Sequence, residues 1–228
     1  MKKNILNIAV LGIIAILINP SIANCQVKDI EGRSYKICTV KSKKYTSIDQ
    51  YTAENLATGT FANGDKILHA ATNEEWVKAN LAKTPAWCYY NNDPLNGEKY
   101  GKLYNWYAVQ DSRNLAPAGW KVADYIDWSI VKEVLGKDSL VIRLKSTTGW
   151  EGNGSGTNES GFNVLPGGFR SGDGSFKSIN MFTYFWTNDQ PEDEELGVAI
   201  GISYLMTSTF VTQNIPYDRG FYVRCSKK

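Results

Sequence analysis

The side chains of this chain that can carry chemistry are few and spread out. His69 is the single histidine, and a Ser/His/Asp or Cys/His device would have to use it as its general base. It follows Ile67-Leu68, precedes Ala70-Ala71 and has no Gly-x-Ser-x-Gly partner, so it reads as a half-buried structural imidazole. Carboxylates concentrate in Thr187-Asn188-Asp189-Gln190-Pro191-Glu192-Asp193-Glu194-Glu195. Paired carboxyl groups cleave glycosides when one is desolvated and held protonated; this run is local and charged, as in a solvated loop joining two strands. Asn188, Asp189 and Glu192 offer amide and carboxylate oxygens to a ligand. The seven tryptophans offer flat faces for a sugar ring. Trp76 and Trp128 lie in helical patterns and read as core, whereas Trp150 and Trp186 adjoin polar loops and are the candidates for exposure, burial being the competing reading. Gly152-Asn153-Gly154-Ser155-Gly156 lacks the Gly-Lys-Ser/Thr ending of a phosphate loop and opens onto no helix.

The cysteines are Cys25, Cys38, Cys88 and Cys225, with no C-x-x-C pair and no Cys/His cluster, so structural zinc has no support. Three disulfide pairings are open. Cys88 and Cys225 flank the most regular part of the chain and are the expected bridge, which would close a long loop and contribute about 3 to 5 kcal/mol. The compartment follows from the start of the sequence. Met1-Lys2-Lys3-Asn4 is basic, Ile8 to Ile18 is apolar, and Ser21-Ile22-Ala23 is a small-residue cleavage signal, so residues 1–23 read as a secretory signal peptide. A spanning helix would need about 20 apolar residues. Ile22-Ala23-Asn24-Cys25 also resembles a bacterial lipobox, with Asn24 a poor fit before the cysteine; Cys25 would then carry the lipid. The expectation is a bacterial product that is exported, secreted or attached to the envelope, touching a membrane only through such a lipid. Loss of Lys2 and Lys3 brings the formal charge of +2 to zero, which excludes nucleic acid as a partner.

The elements that must position these residues fit one domain over 24–228. Val27 to Ile30 and Ser34 to Ile37 pair about a Glu31-Gly32 turn. Thr72 and Glu75 form a capping box that starts a helix through Leu81. Asp124 starts a second helix, in which Ile126, Ile130, Val131, Val134 and Leu135 share a face up to the terminating Gly136. Trp87 to Tyr90 is a strand stopped by Asn91-Asn92-Asp93-Pro94, and Tyr100 to Val109 is compatible with helix or strand. Between Gly149 and Gly174 the chain is rich in Gly, Ser and Asn, interrupted by a short strand at Phe162 to Leu165; long loops of this kind carry binding or gating roles. Met181 to Trp186, Gly197 to Leu205 and Gly220 to Arg224 read as short strands. Two helices among loops and short strands define an α+β domain.

Several segments carry a resemblance. Gly101-Lys102-Leu103-Tyr104-Asn105-Trp106-Tyr107-Ala108-Val109, Leu115-Ala116-Pro117-Ala118-Gly119-Trp120-Lys121-Val122 and Asp127-Trp128 are followed by Leu144 to Trp150, Asn158 to Phe162, Leu165 to Arg170, Tyr184-Phe185-Trp186 and Val223-Arg224-Cys225. Together they resemble, in order and over nearly the whole chain after residue 23, the Fibrobacter succinogenes major paralogous domain family. The resemblance implies a C-type-lectin-like fold, with two helices, small antiparallel sheets and a long irregular loop region, and it implies core positions for Trp106 and Trp120. It brings no assigned reaction, so the expectation is a non-enzymatic surface binding or adhesion module for a glycan or an extracellular protein. C-type lectins hold calcium, and sugar hydroxyls through it, by clustered oxygen ligands; calcium at Asn188, Asp189 and Glu192 is the cofactor such a likeness would allow. The formylglycine-generating oxidases share a similar fold but use cysteines, and here no two cysteines are close in sequence. A carbohydrate hydrolase on this scaffold, or a purely structural envelope protein, are the other readings. The chain departs from the family pattern at Ala116, where many members have cysteine, at Lys121, where histidine is usual, and in the acidic run after Trp186.

Overall fold

The computed structural model describes residues 26–44, 46–190, 195–208 and 210–228. The leader 1–23, Cys25 and Glu192 lie outside the described residues. Chain reversal begins at Asp29, whose carboxylate accepts hydrogen bonds from the N–H groups of Glu31 and Arg33 and from Tyr35 Oη, while Gly32 takes φ 83°. That side-chain turn pairs β1 (Gln26–Lys28) with β2 (Ser34–Ser42), and β2 continues into β3 (Ser47–Thr52). In β2, Cys38, Val40 and Ser42 are buried and Thr39 and Lys41 exposed, the alternation of a strand with one covered face.

The chain then runs through β4 (Leu68–His69), α1 (Asn73–Leu81), β5 (Ala86–Cys88), α2 (Pro94–Tyr100), β6 (Leu103–Tyr104), α3 (Trp106–Val109), β7 (Trp120–Val122), α4 (Tyr125–Leu135) and α5 (Leu140–Leu144). It closes with β8 (Phe169–Arg170), β9 (Phe176–Lys177), β10 (Phe182–Trp186), β11 (Leu196–Ser203), β12 (Val211–Pro216) and β13 (Cys225–Lys227). The largest sheet is antiparallel in the order β1-β2-β3-β13-β7; β10-β11-β12 and β4-β5-β6 are three-stranded, and β8-β9 is a hairpin. No described helix is long and apolar enough to cross a membrane.

Both expected helices form with their expected caps. Glu75 N–H donates to Thr72 Oγ1 and Thr72 N–H to Glu75 Oε2; Asp124 and Asp127 exchange the same pair of bonds at the start of α4, and Gly136 ends it at φ 77°. The mixed α/β character holds, but the described chain has α2, α3 and α5 besides. Tyr100 to Val109 is neither one helix nor one strand, because Asn105 caps α3 directly after β6. Gly220 to Arg224 is not a regular strand: Gly220, Phe221 and Tyr222 make single bridges to Arg170, Tyr104 and Phe185, which belong to different elements, and the strand is β13. Phe162 to Leu165 likewise reduces to one bridge, Val164 to Lys145.

The expected Cys88–Cys225 bridge does not form. Both thiols are free and buried, Cys88 in the core cluster of Trp76, Tyr90, Leu103 and Tyr222, and Cys225 in that of Leu115, Trp120 and Phe221. Burial pushes the Cys88 thiol up to about 11 and the Cys225 thiol higher still.

Candidate functional site

The two tryptophans expected at a surface are inside. Trp150 is 5% exposed, and its Nε1–H donates to Ser146 Oγ and the Val164 carbonyl. Trp186 has no exposure; its Nε1–H donates to the Tyr104 carbonyl at 2.9 Å and its ring packs on Trp106 and Phe221. Indoles whose polar atom is satisfied internally gain most by burying both faces, and neither can meet a sugar ring. His69 departs from expectation the other way. It is exposed on β4 and stacks on Trp87 at 4.0 Å, with planes 3° apart. Desolvation against its neighbours and then the Lys102 charge hold its pKa below the ordinary value.

Asn188 and Asp189 do come to a defined corner. They follow β10, where Thr187 N–H still pairs with the Val198 carbonyl and Asn188 N–H turns to the Ala123 carbonyl. Asp189 Oδ2 accepts the Tyr125 N–H at 2.7 Å. Tyr125 opens α4, so the carboxylate satisfies one of the unpaired amides at the positive end of the helix. Lys121, on β7, points at the same helix start, where its ammonium bonds Asp124 and lies 2.9 Å from Asp127 Oδ2. Asp127 also accepts from Ser226 Oγ of β13 at 2.8 Å.

The charges of this cluster are fixed by their neighbours. Burial pulls the Lys121 ammonium down, but its bonds to Asp124 and Asp127 carry it above its ordinary value. Asp124 is held low, the Lys121 bond and the Asp127 amide overcoming burial. Asp127, more buried, is raised by desolvation and by the neighbouring Asp124 charge. Lys121 therefore bridges two carboxylates, offsetting one of their two charges, and is tied to the structure.

Beside this cluster is an open cavity of about 550 Å³ lined by Gln110, Asn114, Lys121, Asn188, Gln190 and Lys228, among others. Three of its carboxamides form a chain: Gln110 Nε2–H donates to Asn188 Oδ1 at 3.3 Å, and Gln190 Nε2–H donates to Gln110 Oε1, while Asn114 bonds the Ala116 backbone. Each carboxamide offers donors and an acceptor on one planar group, matching hydroxyls, which both give and accept. Among the described residues no group of three or more His, Cys, Asp and Glu is placed to hold a metal ion.

Of the residues singled out in the sequence, Asn188 lines this cavity and Asp189 stands beside it, while Gln110, Asn114 and Lys228 carried no signal there. Gln110 caps the C-terminus of α3, a position with no amide signature, and joins Asn188 from 78 residues away.

A model described as the Fibrobacter succinogenes major domain matches residues 49–227. No curated protein and no solved structure matches the chain.

Proposed function

The chain belongs to the Fibrobacter succinogenes major domain family, and on that footing we propose an exported, non-enzymatic binding module whose ligand is a carbohydrate of the cell surface or extracellular matrix, held in the Gln110/Asn188 cavity. The observation that carries this reading is the lining itself: four carboxamides, from Gln110, Asn114, Asn188 and Gln190, with two lysines at an open cavity. Hydroxyl-rich ligands are recognised by such planar donor and acceptor groups placed around a concave surface. Tyr125, exposed and tied by its backbone to Asp189, stands at the same corner as a face for a sugar ring. Short helices, small antiparallel sheets and the irregular stretch between Gly149 and Gly168 accord with the C-type-lectin-like arrangement that the family resemblance implies. The acids closest to acid–base work, Asp124 and Asp127, are engaged by Lys121, Ser226 and helix amides, which speaks for binding over hydrolysis.

The test is a glycan array, then titration of the best sugar with and without a calcium chelator. Binding is expected to fall about tenfold, or 1.4 kcal/mol, in Gln110→Ala and in Asn188→Ala. Binding unchanged by chelator assigns recognition to the amides alone, and binding lost with chelator adds calcium at the Asp189 end. No sugar binding in either condition overturns the proposal.

A further inference from the structure

Two arginines are fully buried, and their donors are met differently. Arg170 gives Nε to the Gly174 carbonyl, Nη1 to that of Ala70, and Nη2 to that of Thr72 and to Asn73 Oδ1, so each nitrogen has an acceptor. Arg224, 2% exposed, gives Nε to Asn55 Oδ1 at 2.6 Å and Nη1 to the Thr52 and Phe162 carbonyls, both at 2.9 Å. Its Nη2 has no acceptor among the described residues and is not one of the enclosed unpartnered atoms, so it opens to solvent, and no described carboxylate forms an ion pair with it. A buried charge is normally paired, because desolvation costs several kcal/mol that only a partner offsets. Burial draws the Arg224 guanidinium down to about 10, the pull of the Glu54 charge offsetting only part of it.

Arg224 also lines a cavity of about 110 Å³, together with Arg33, Lys99, Asn163, Glu54 and Glu98. One water needs only about 10–15 Å³ of such space, so the cavity has room for several waters or a small organic group. Its three cations outnumber its two carboxylates by one, and the most buried charge is the positive one. Glu54 and Glu98 would repel a dianion, whereas a monoanion would leave the cavity neutral. None of these residues lines the amide cavity.

We infer that this second cavity binds a carboxylate group, with Arg224 Nη2 donating to one of its oxygens and Arg33 and Lys99 drawing it in from the rim. The carboxylate comes from a free small acid or from a uronic acid unit of a polysaccharide, and the two sources present the same group to Arg224.

The inference is tested by calorimetric titration of the full chain near pH 7, in zwitterionic buffer free of chloride and phosphate, with sodium acetate, sodium glucuronate and sodium phosphate as probes. Acetate is expected to bind saturably at one site. Affinity is expected to fall at least tenfold in Arg224→Met, with circular dichroism checking the fold. Exposed rim charges act through solvent and are worth a few tenths to 1 kcal/mol, so Lys99→Gln should weaken binding about threefold and Glu98→Gln tighten it about threefold. These two variants decide the matter if Arg224→Met does not fold. Glucuronate binding as well as acetate assigns a sugar-borne carboxylate, and acetate alone a free acid. Absence of saturable binding by both acids, tighter binding of phosphate than of either, or rim variants that leave affinity unmoved would overturn the inference.

Discussion

Replacing Lys121 by methionine tests whether the corner at the start of α4 is held together by charge. The substitution keeps the aliphatic stem and removes the ammonium that bonds Asp124 and approaches Asp127. Side-chain exposures of 31%, 24% and 12% for Lys121, Asp124 and Asp127 place the cluster between a surface ion pair, worth about 0–1 kcal/mol, and a buried one, whose breakage costs about 3–5 kcal/mol. Ser226 and the helix amides still serve the carboxylates after the change, so a loss of about 2 kcal/mol is expected. For a chain of this size that lowers the melting midpoint by about 4–8 °C. The pH dependence supplies the sharper test. Lys121 is raised in the fold, so its contribution is complete at neutral pH and would be lost only as pH rises through its folded value. Asp124 is depressed, so its contribution is present above the unfolded carboxyl value and lost as pH falls through the folded one. Asp127 is already raised, and without Lys121 it protonates at still higher pH, relieving the repulsion. The deficit of Lys121→Met, measured by thermal unfolding, should be largest near pH 7 and shrink toward pH 4, and adding Asp127→Asn should restore part of it. An equal deficit at both pH values, or one below about 0.5 kcal/mol, refutes the reasoning.

Trp150→Phe removes an indole N–H from the interior and should cost about 1 kcal/mol in urea unfolding while leaving sugar affinity unchanged; an affinity loss at unchanged stability would return Trp150 to the surface. Asp189→Ala frees the Tyr125 amide at the start of α4 and should cost about 0.5–2 kcal/mol, as loss of a helix cap does, together with weaker sugar binding because Asn188 is no longer held; titration alongside thermal unfolding checks both. In a chain carrying Cys25→Ser, Cys38, Cys88 and Cys225 should resist a maleimide until denaturant is added, since burial raises all three thiols, and a melting midpoint that moves with reductant would contradict free thiols.

What could be read from the residues follows the range of the forces involved. Caps act over three or four positions, so Thr72 with Glu75 and Asp124 with Gly136 announced α1 and α4. The Glu31-Gly32 turn was legible for the same reason. Burial is not local: Trp150 and Trp186 have polar sequence neighbours, yet nothing in those neighbours tells which way a ring turns, and both turn inward. Pairing across the chain was equally hidden. Gly220 to Arg224 read as a strand, but its residues Gly220, Phe221 and Tyr222 bridge three separate elements. The amide cavity depends on Gln110 meeting Asn188, which only the packing of α3 beside the end of β10 brings about.

The placement of β13 bears on how the molecule comes to exist. It lies between β3 and β7, pairing Ser226 with Tyr51 on one side and Cys225 with Val122 on the other, and Cys225 N–H reaches Thr52 Oγ1 across 173 residues. Until that segment arrives, β3 and β7 each present an unpaired edge, a template for association with other chains. Closing so long a loop before its contacts form makes the central sheet a late event. A chain made from its N-terminal side therefore holds this sheet open until Cys225–Lys227 has been made, and completes it when that strand arrives.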